Sequence, residues 1–539
     1  MPITSPWPTL EPYPKEPMAS WLEAASRHHG ERAALMDREG RAYTYRQTHS
    51  LARSIGRFLQ DEGVAKGDRV AIVSPNSTSV VIAYLGILWA GGVALPLNPL
   101  FKERELKHFL GDSGARVAIV AGETLSNVQE VKRELPELEG IYTLEELLAR
   151  AGEVPPEPRP LAIDPETDLA LLTCTGGTSG LPKEAVHTHY GLAASLRQQA
   201  MLARGYYSLA TFLISIPLYL PHGLNGLVLC SLFASATQII MPRFDAEDVL
   251  HLIEKHRVTN MALGPTALAT ITDAAEGKAI PPRGSPGPGG AGMTGGRHDL
   301  SSLAVISCGG DTLVPELWER ASQTPRCNIV QTYGSAEAFC INTSPPKRVK
   351  PGSVGPAVAD TWEKIVALDT DEEVRLGEMG ELLIRGPQVC KGYWRNPQAN
   401  AEAITPDGWF RTGDLVRADE EGYIYIIDRK KEVIKYKGYQ ITPVELEKVL
   451  AEHPAVSEAA VIPKDAPQVG QIPKALVVLR PGAQVGPEEL MTFVEARVAP
   501  FKKVREIEFI EAMPRSAAGK VLRRELIDRE RAAGPGGPG

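Results

Sequence analysis

Residues 173–183 gather four hydroxyls (Thr173, Thr175, Thr178, Ser179), three glycines (Gly176, Gly177, Gly180) and one lysine (Lys183) in a single loop. That mixture suits a polyphosphate: glycines let backbone N–H groups approach closely, hydroxyls add short-range donors, and an ammonium supplies a point charge. No Gly-Lys-Ser/Thr closes the loop, so it is not a Walker A sequence. Further on, Gln331, Thr332, Tyr333, Gly334, Ser335, Ala336 and Glu337 put an aromatic ring, a tight turn and a carboxylate after an expected strand end, where open α/β sheets bind ligands. Glu337 is an oxygen donor of the kind Mg²⁺ takes at phosphates, or else a surface-turn acid. In residues 407–414, Asp414 offers two oxygens to a pair of ribose hydroxyls, or is an ordinary turn acid. Near the end, Lys520 sits on a small-residue loop at 514–520, an arm able to enter a cleft or a solvated lysine.

Elements must bring these residues together. The first four hundred residues alternate short β-rich runs with helical patterns, the signal for parallel sheets covered by helices. Strands are expected at 69–73, 93–97, 117–120, 237–241, from 261 to 263 and at 303–307, with helices at 77–90, 103–110 and ending at 256. Charged residues 428–432 follow an expected strand at 423–427 and read as a linker or hinge. Beyond them a small α+β unit is expected, with helices at 443–452 and 487–497 and strands near 458–462, 474–479 and 506–510. The resulting fold class is α/β, a large amino-terminal domain with helix-covered sheets followed by a small α+β domain. Residues 281–296 form a Gly/Pro-rich tract expected to be a flexible insertion, and its Gly287, Gly289 and Gly292 match G-x-G-x-x-G by composition alone, since no strand precedes them.

At 539 residues the chain exceeds one core, and 43% apolar with 23% charged residues is ordinary for a soluble globular protein. A net charge of −8 argues against a general nucleic-acid binder. The six cysteines form no C-x-x-C pair, which argues against a zinc site or a disulfide framework and fits a reducing, cytoplasmic location. The amino terminus lacks the basic and apolar regions of a secretory signal. Residues 205–242 carry no Asp, Glu, Lys or Arg, but Pro217, Pro221, His222 and Asn225 interrupt them, so buried core is expected over a membrane span.

The loop at 173–183, the segment 331–337, residues 380–386, Gly392-Tyr393-Trp394, the 409–414 turn, residues 428–438 and the 516–520 loop resemble, in order and separation, the adenylate-forming superfamily of acyl-CoA synthetases, aryl-CoA ligases, luciferases and peptide-synthetase adenylation domains. The resemblance covers nearly the whole chain. It implies an ATP-binding domain at 1–427 with a β-barrel-like subdomain, a hinge at 428–432 centred on Lys431, a mobile domain at 433–531 and a disordered tail at 532–539. It also implies two half-reactions with ATP and CoA as co-substrates and Mg²⁺ as cofactor: carboxylate plus ATP gives acyl-AMP and pyrophosphate, and then the CoA thiol displaces AMP.

By the same resemblance, Lys520 bridges carboxylate and α-phosphate, and Thr175 and Glu337 hold Mg²⁺. The loop residues Thr175, Gly176, Gly177, Thr178, Ser179, Gly180 and Lys183 manage pyrophosphate. Adenine lies against Gly309, Gly310, Asp311 and Tyr333; Gln331, Thr332, Gly334 and Ala336 belong to the same ATP- and AMP-binding set, and Asp414 and Arg429 hold ribose. Lys435 and Gln440 serve the second step beside a CoA tunnel of Lys437, Gly438 and Tyr439. The acyl pocket is expected from Tyr219, His222, Gly223, Asn225, Ser307, Gly334 and Ala338. Three positions depart from the family pattern: Ala336 replaces a usual threonine, Glu184 replaces a glycine, and His222 matches the usual histidine only if the alignment slips by two. The expected activity is a fatty acyl-CoA synthetase for medium or long chains, with an aryl-CoA ligase, a catalytically silent acyl- or nucleotide-binding homologue and a membrane transporter as alternatives. Expected partners are small molecules, with no nucleic acid, peripheral membrane contact left open, and a monomer or homodimer.

Overall fold

The computed structural model describes residues 3–175, 183–202, 209–278, 298–311, 313–323, 327–368, 370–430, 432–436, 439–466, 469–498, 500–515 and 521–533. Two largely parallel sheets dominate the amino-terminal part. The six-stranded sheet runs, edge to edge, Gly140–Thr143, Ala115–Val120, Arg69–Val73, Val93–Leu97, Leu169–Cys174 and Glu184–Thr188, with only the last strand antiparallel. The eight-stranded sheet runs Phe339–Thr343, Asn328–Ser335, Val305–Gly309, Asn260–Leu263, Thr211–Ile214, Thr237–Ile240, Ala33–Asp37 and Ala42–Thr44, antiparallel only at its two edge pairs.

Strands buried on both faces must be apolar throughout, and Val93–Leu97 is fully buried. The helix Thr78–Trp89 is buried on nearly every side, as a helix shared between layers must be, and it belongs to one core with Phe212, Leu224 and Leu229. Of the uncharged segment expected to be core, residues 223–232 are buried and Thr237–Ile240 is an inner strand. Among the described residues no helix is long and apolar enough to cross a membrane.

A five-stranded antiparallel sheet follows, ordered Ile3–Thr4, Trp362–Val366, Gly380–Arg385, Phe410–Ala418 and Ile424–Arg429, with a further bridge from Ile424 to Gly355. The small carboxy-terminal domain has its own sheet and core: Tyr439–Ile441, Ile434–Tyr436, Gly470–Leu479 and Val456–Ala466 in that order, Glu506–Phe509 beside Gly470–Leu479, and the helices Pro443–Ala451, Pro487–Glu495 and Arg523–Ala533.

Three expectations shift. The strand expected at 303–307 lies at Val305–Gly309, because register with both neighbours (Asn260↔Val305 and Gly309↔Thr332) carries it two residues on. Gln331 to Ser335 lie within a strand rather than after one, since the antiparallel return at Phe339–Thr343 prolongs the ladder. Asp414 is in a strand, paired with Arg429, and not in a turn. The insertion at 281–296 and the tail from 534 lie outside the described residues.

Glu363, on the strand next to Ile3–Thr4, is fully buried, and among the described residues neither carboxyl oxygen makes a hydrogen bond of normal geometry, although Asn342 lies beside it. Burial pushes its carboxyl up to about 8. The folded chain then keeps a proton that the unfolded chain releases near 4.5, so stability is complete below that value and falls as pH rises towards about 8. Each such group contributes about 1.4 kcal/mol per pH unit of slope. Glu184, raised to about 8 by burial and by Asp112, contributes the same. Glu363→Gln is expected to halve roughly the loss of unfolding free energy between pH 6.5 and 8, read by denaturant melts; an unchanged slope contradicts it.

Candidate active site

The ends of the glycine-rich loop are tied together: the Thr175 amide donates to the Lys183 carbonyl at 2.8 Å, and the Lys183 amide donates to Thr175 Oγ1 at 3.2 Å. Gly176, Gly177, Thr178, Ser179 and Gly180 lie outside the described residues. Below the loop, Thr173 Oγ1 donates to the Ala336 carbonyl at 2.9 Å, and His187 Nε2 donates to the same oxygen at 2.8 Å. Burial lowers His187 to about 4, so its ring is neutral. The phosphate loop and the 331–337 segment are thus joined through a backbone oxygen, a contact that Ala336 makes as well as any residue.

Glu184 does not crowd this site. It pairs with Cys174, and strand alternation turns the two, with Leu172 and Val186, towards the helix Glu103–Ser113, where Asp112 hydrogen-bonds the Glu184 carboxyl. Thr173, Ala185 and His187 take the opposite face, towards Ala336.

Lys183 Nζ lies 4.8 Å from the Tyr393 ring centroid, and the Tyr393 hydroxyl donates to Glu337 Oε1 at 2.8 Å. Burial and the Glu337 carboxylate hold that phenol protonated. The Cys390 amide donates to the Glu337 carbonyl at 2.7 Å. One lysine, one phenol and one carboxylate are therefore in a chain beside the loop, and Glu337 Oε2 has no hydrogen-bond partner among the described residues. No cluster of three or more His, Cys, Asp or Glu among the described residues could hold a metal. A single carboxylate beside the loop would suit a Mg²⁺ that arrives on a nucleotide rather than one held by the protein alone.

Asp414 is 3% exposed. Its Oδ2 accepts from the Tyr333 hydroxyl, and its Oδ1 accepts from Arg429 Nε at 2.9 Å. Gly309 faces Thr332 so closely that a Cβ there would lie 2.5 Å from Thr332 Oγ1, and Gly310 has φ +85°, so glycine is required at both positions before exposed Asp311. Gln331 is buried in the same ladder, with Oε1 unpaired among the described residues. At Gly334 a Cβ would come within 1.6 Å of the Phe339 carbonyl, which fixes the sharp return.

Beside this edge is a cavity. Its floor is one face of two paired strands, with Val305 and Ser307 on one and Val330 and Thr332 on the other; Ile306, Cys308 and Ile329 point into the core behind. Its walls are Gln199, His222, Gly226, Leu227, Cys340 and the Thr343 to Pro346 turn, with Trp7 from the chain start. His222 and Gly226 come from a π-helical stretch, His222–Leu229, and a Cβ on Gly226 would lie 2.9 Å from His222 Nδ1. Burial lowers His222 to about 4, so it presents a neutral ring. Of the expected acyl-pocket residues, His222 and Ser307 line this cavity. Asn225 instead accepts from the Tyr84 hydroxyl at 3.3 Å, Gly223 packs on the Pro217 carbonyl, Ala338 is buried in the core under the antiparallel sheet, and Tyr219 and Gly334 are not among the lining residues.

In the carboxy-terminal domain, Lys435 faces Gln440 and Tyr436 faces Tyr439 across a hairpin. Lys431, Lys437, Gly438 and Lys520 lie outside the described residues, and the structure gives only the backbone of Lys435, Tyr439 and Gln440. Sequence reasoning gave no role to His187, Tyr393, Gln199 or Trp7. Tyr393 stood in a recognised motif, whereas the other three are placed only by tertiary packing.

The AMP-binding enzyme family matches residues 22–394, and the AMP-binding enzyme C-terminal domain matches residues 445–520. The chain belongs to the AMP-binding enzymes, the adenylate-forming superfamily its motifs resemble. It is 32% identical over 557 residues to a long-chain-fatty-acid–CoA ligase of Bacillus subtilis (strain 168), covering 96% of this chain and 95% of that protein. It is 32% identical over 512 residues to 4-coumarate–CoA ligase 5 of Oryza sativa subsp. japonica, covering 92% and 91%. Among solved structures, ATP-bound MatB from Rhodopseudomonas palustris superposes with a TM-score of 0.85 at 25% identity, covering 95% of this chain and 98% of that one. An anthranilate CoA ligase in complex with anthranoyl-AMP gives 0.83 at 27% identity, covering 97% and 98%.

Proposed function

We propose that this enzyme, an ATP-dependent, AMP-forming acid–CoA ligase, activates a medium- or long-chain fatty acid. The carboxylate attacks the α-phosphate, the bond to pyrophosphate breaks, and the CoA thiol then attacks the acyl carbonyl and releases AMP. Glu337, held by Tyr393, would hold Mg²⁺ brought on ATP, which would offset phosphate charge there, and Lys183 and the loop hydroxyls steady the leaving pyrophosphate. Lys520 serves the first step, and Lys435 and Gln440 the second. Asp414 and Arg429 receive the ribose, and adenine lies over Gly309 to Asp311 and Tyr333.

The carrying observation is the cavity that continues from this edge along the sheet face from Thr332 to Val305. Val305 precedes Gly309 by four residues, so at 3.3 Å per residue the floor extends roughly 13 Å from the nucleotide edge. Leu227, Val305, Val330, Pro345 and Pro346 give it an apolar body. A second reading, an aryl acid, is favoured by the rigid Trp7, Pro345 and Pro346 walls and by similarity to a coumarate ligase and an anthranilate ligase.

Rotation of residues 433–531 against 1–427 would exchange the two lysines. Arg429 still belongs to the amino-terminal ladder and Ile434 to the carboxy-terminal one, and the Val444 amide donates to Asp428 Oδ2 at 3.2 Å across the junction, which supports a pivot at Lys431. The test is a carboxylate panel, acetate through palmitate with benzoate and coumarate, scored for CoA-dependent AMP formation. Highest kcat/KM is expected for a medium- or long-chain fatty acid. Preference for benzoate or coumarate establishes the aryl reading, and no AMP with any acid establishes a silent homologue.

A further inference from the structure

The residues 3–18 form a strap laid across the amino-terminal domain from outside the main elements. Ile3 and Thr4 pair with Glu363 and Trp362. Ser5 Oγ donates to the Ala357 carbonyl at 3.0 Å, and the Leu10 amide and Tyr13 hydroxyl both donate to Asp360 Oδ2, at 2.9 and 2.7 Å. The Met18 amide donates to His189 Nδ1 at 3.1 Å. Between the Ser5 and Leu10 anchors, Trp7 lines the cavity. Its amide is fixed by Ser5 Oγ at 3.2 Å, yet its indole Nε1 is buried and has no partner among the described residues. Across the same cavity wall, Ser344 is 1% exposed, and its hydroxyl is likewise buried and unpartnered among the described residues. Its amide is used, donating to the Gln331 carbonyl at 3.0 Å.

Buried donors without acceptors are rare in folded proteins, and two on residues that line one cavity point to an acceptor that arrives with the ligand. A plain alkanoic acid offers none beyond its carboxylate, and the carboxylate belongs at the nucleotide edge. We propose that the amino-terminal strap is a specificity element for the acid: Trp7 walls the cavity, and the Trp7 N–H and Ser344 hydroxyl donate to an oxygen on the acyl chain remote from the carboxylate. The preferred substrate class is then a hydroxy- or oxo-substituted fatty acid. This rests on reading the cavity as the acid pocket. A site that leaves donors stranded rejects the analogue lacking the oxygen, which is how a hydroxyl is selected for.

The test compares octanoate with 8-hydroxyoctanoate and decanoate with 10-hydroxydecanoate, by kcat/KM and by calorimetric binding, in wild type, Trp7→Phe, Ser344→Ala and Trp7→Ala. Wild type is expected to favour the hydroxy acid of at least one pair by roughly five- to tenfold. Trp7→Phe keeps the wall but not the donor, and with Ser344→Ala it should remove most of that preference, read as the ratio of kcat/KM for the hydroxy acid to that for the plain acid. Trp7→Ala should shift the optimum to longer acids. A wild type with no preference, or variants that keep it, overturns the proposal. Turnover of plain acids at equal ratios in all four proteins leaves the ligase reading intact and sinks only this one, and the binding ratio decides the matter even if turnover is absent.

Discussion

Lys520→Ala is expected to lower acyl-AMP formation by about 10²- to 10³-fold, while thioester formation from supplied acyl-AMP and CoA stays near wild type. An anionic carboxylate must approach a polyanionic phosphate in the first step, and a cation placed where charge develops acts most strongly in the transition state. The second step starts from an acyl-AMP in which that approach is over. Lys435→Ala should show the converse pattern, because Lys435 pairs with Gln440 in a hairpin beyond the proposed pivot, on the domain that under the proposed rotation would present different residues to the site. The measurement is a pair of single-turnover assays, one for pyrophosphate release and one for CoA ester formation from synthetic acyl-AMP. Equal losses in both steps for either variant would place that lysine in a shared binding role and remove the support for rotation.

How far the sequence carried this depends on the kind of constraint. Residues joined by local pattern were legible: the strands Arg69–Val73 and Val93–Leu97 and the helix Thr78–Trp89 fall where apolar pattern and length place them, and the helix Ala246–His256 ends where expected. Registers were not, since a strand such as Val305–Gly309 starts where its neighbours pair rather than where apolar residues begin. The same distinction holds in the site. Asp414, Tyr333 and Glu337 were marked by motif, but their hydrogen-bond partners come from distant segments: Asp414 binds Tyr333 and Arg429, and Glu337 binds Tyr393. Glu184, an apparent intrusion of charge after Lys183, faces the other side of its sheet, a fact of strand parity that its position beside the lysine conceals. Trp7 had no signal at all, because nothing local says that a residue before the first helix closes a cavity built some three hundred residues later.

Asp414→Ala is expected to raise KM for ATP by about 10- to 100-fold, the scale of one charge-assisted hydrogen bond to a ribose hydroxyl, with a smaller change in kcat and none in KM for the acid. The substitution also frees the Tyr333 hydroxyl and Arg429, which the carboxylate now holds together. Arg429 is half-exposed, so water takes over much of its solvation, and the stability loss should be only about 1–2 kcal/mol. A structural pin and a ribose acceptor therefore predict different results, and deoxyribonucleotides separate them. If Asp414 receives the sugar hydroxyls, wild type discriminates ATP from its 2′- and 3′-deoxy analogues, and Asp414→Ala loses most of that discrimination. If the carboxylate only positions Tyr333 and Arg429, the variant uses all three nucleotides less well by the same factor. Asp414→Asn keeps one acceptor oxygen and the side-chain shape, so it should fall between wild type and alanine in KM for ATP and keep part of the sugar discrimination. A variant that binds ATP as wild type does, measured by calorimetry without acid, would remove Asp414 from the nucleotide site and leave the Tyr333–Asp414–Arg429 cluster as a support for the strand pair that carries it.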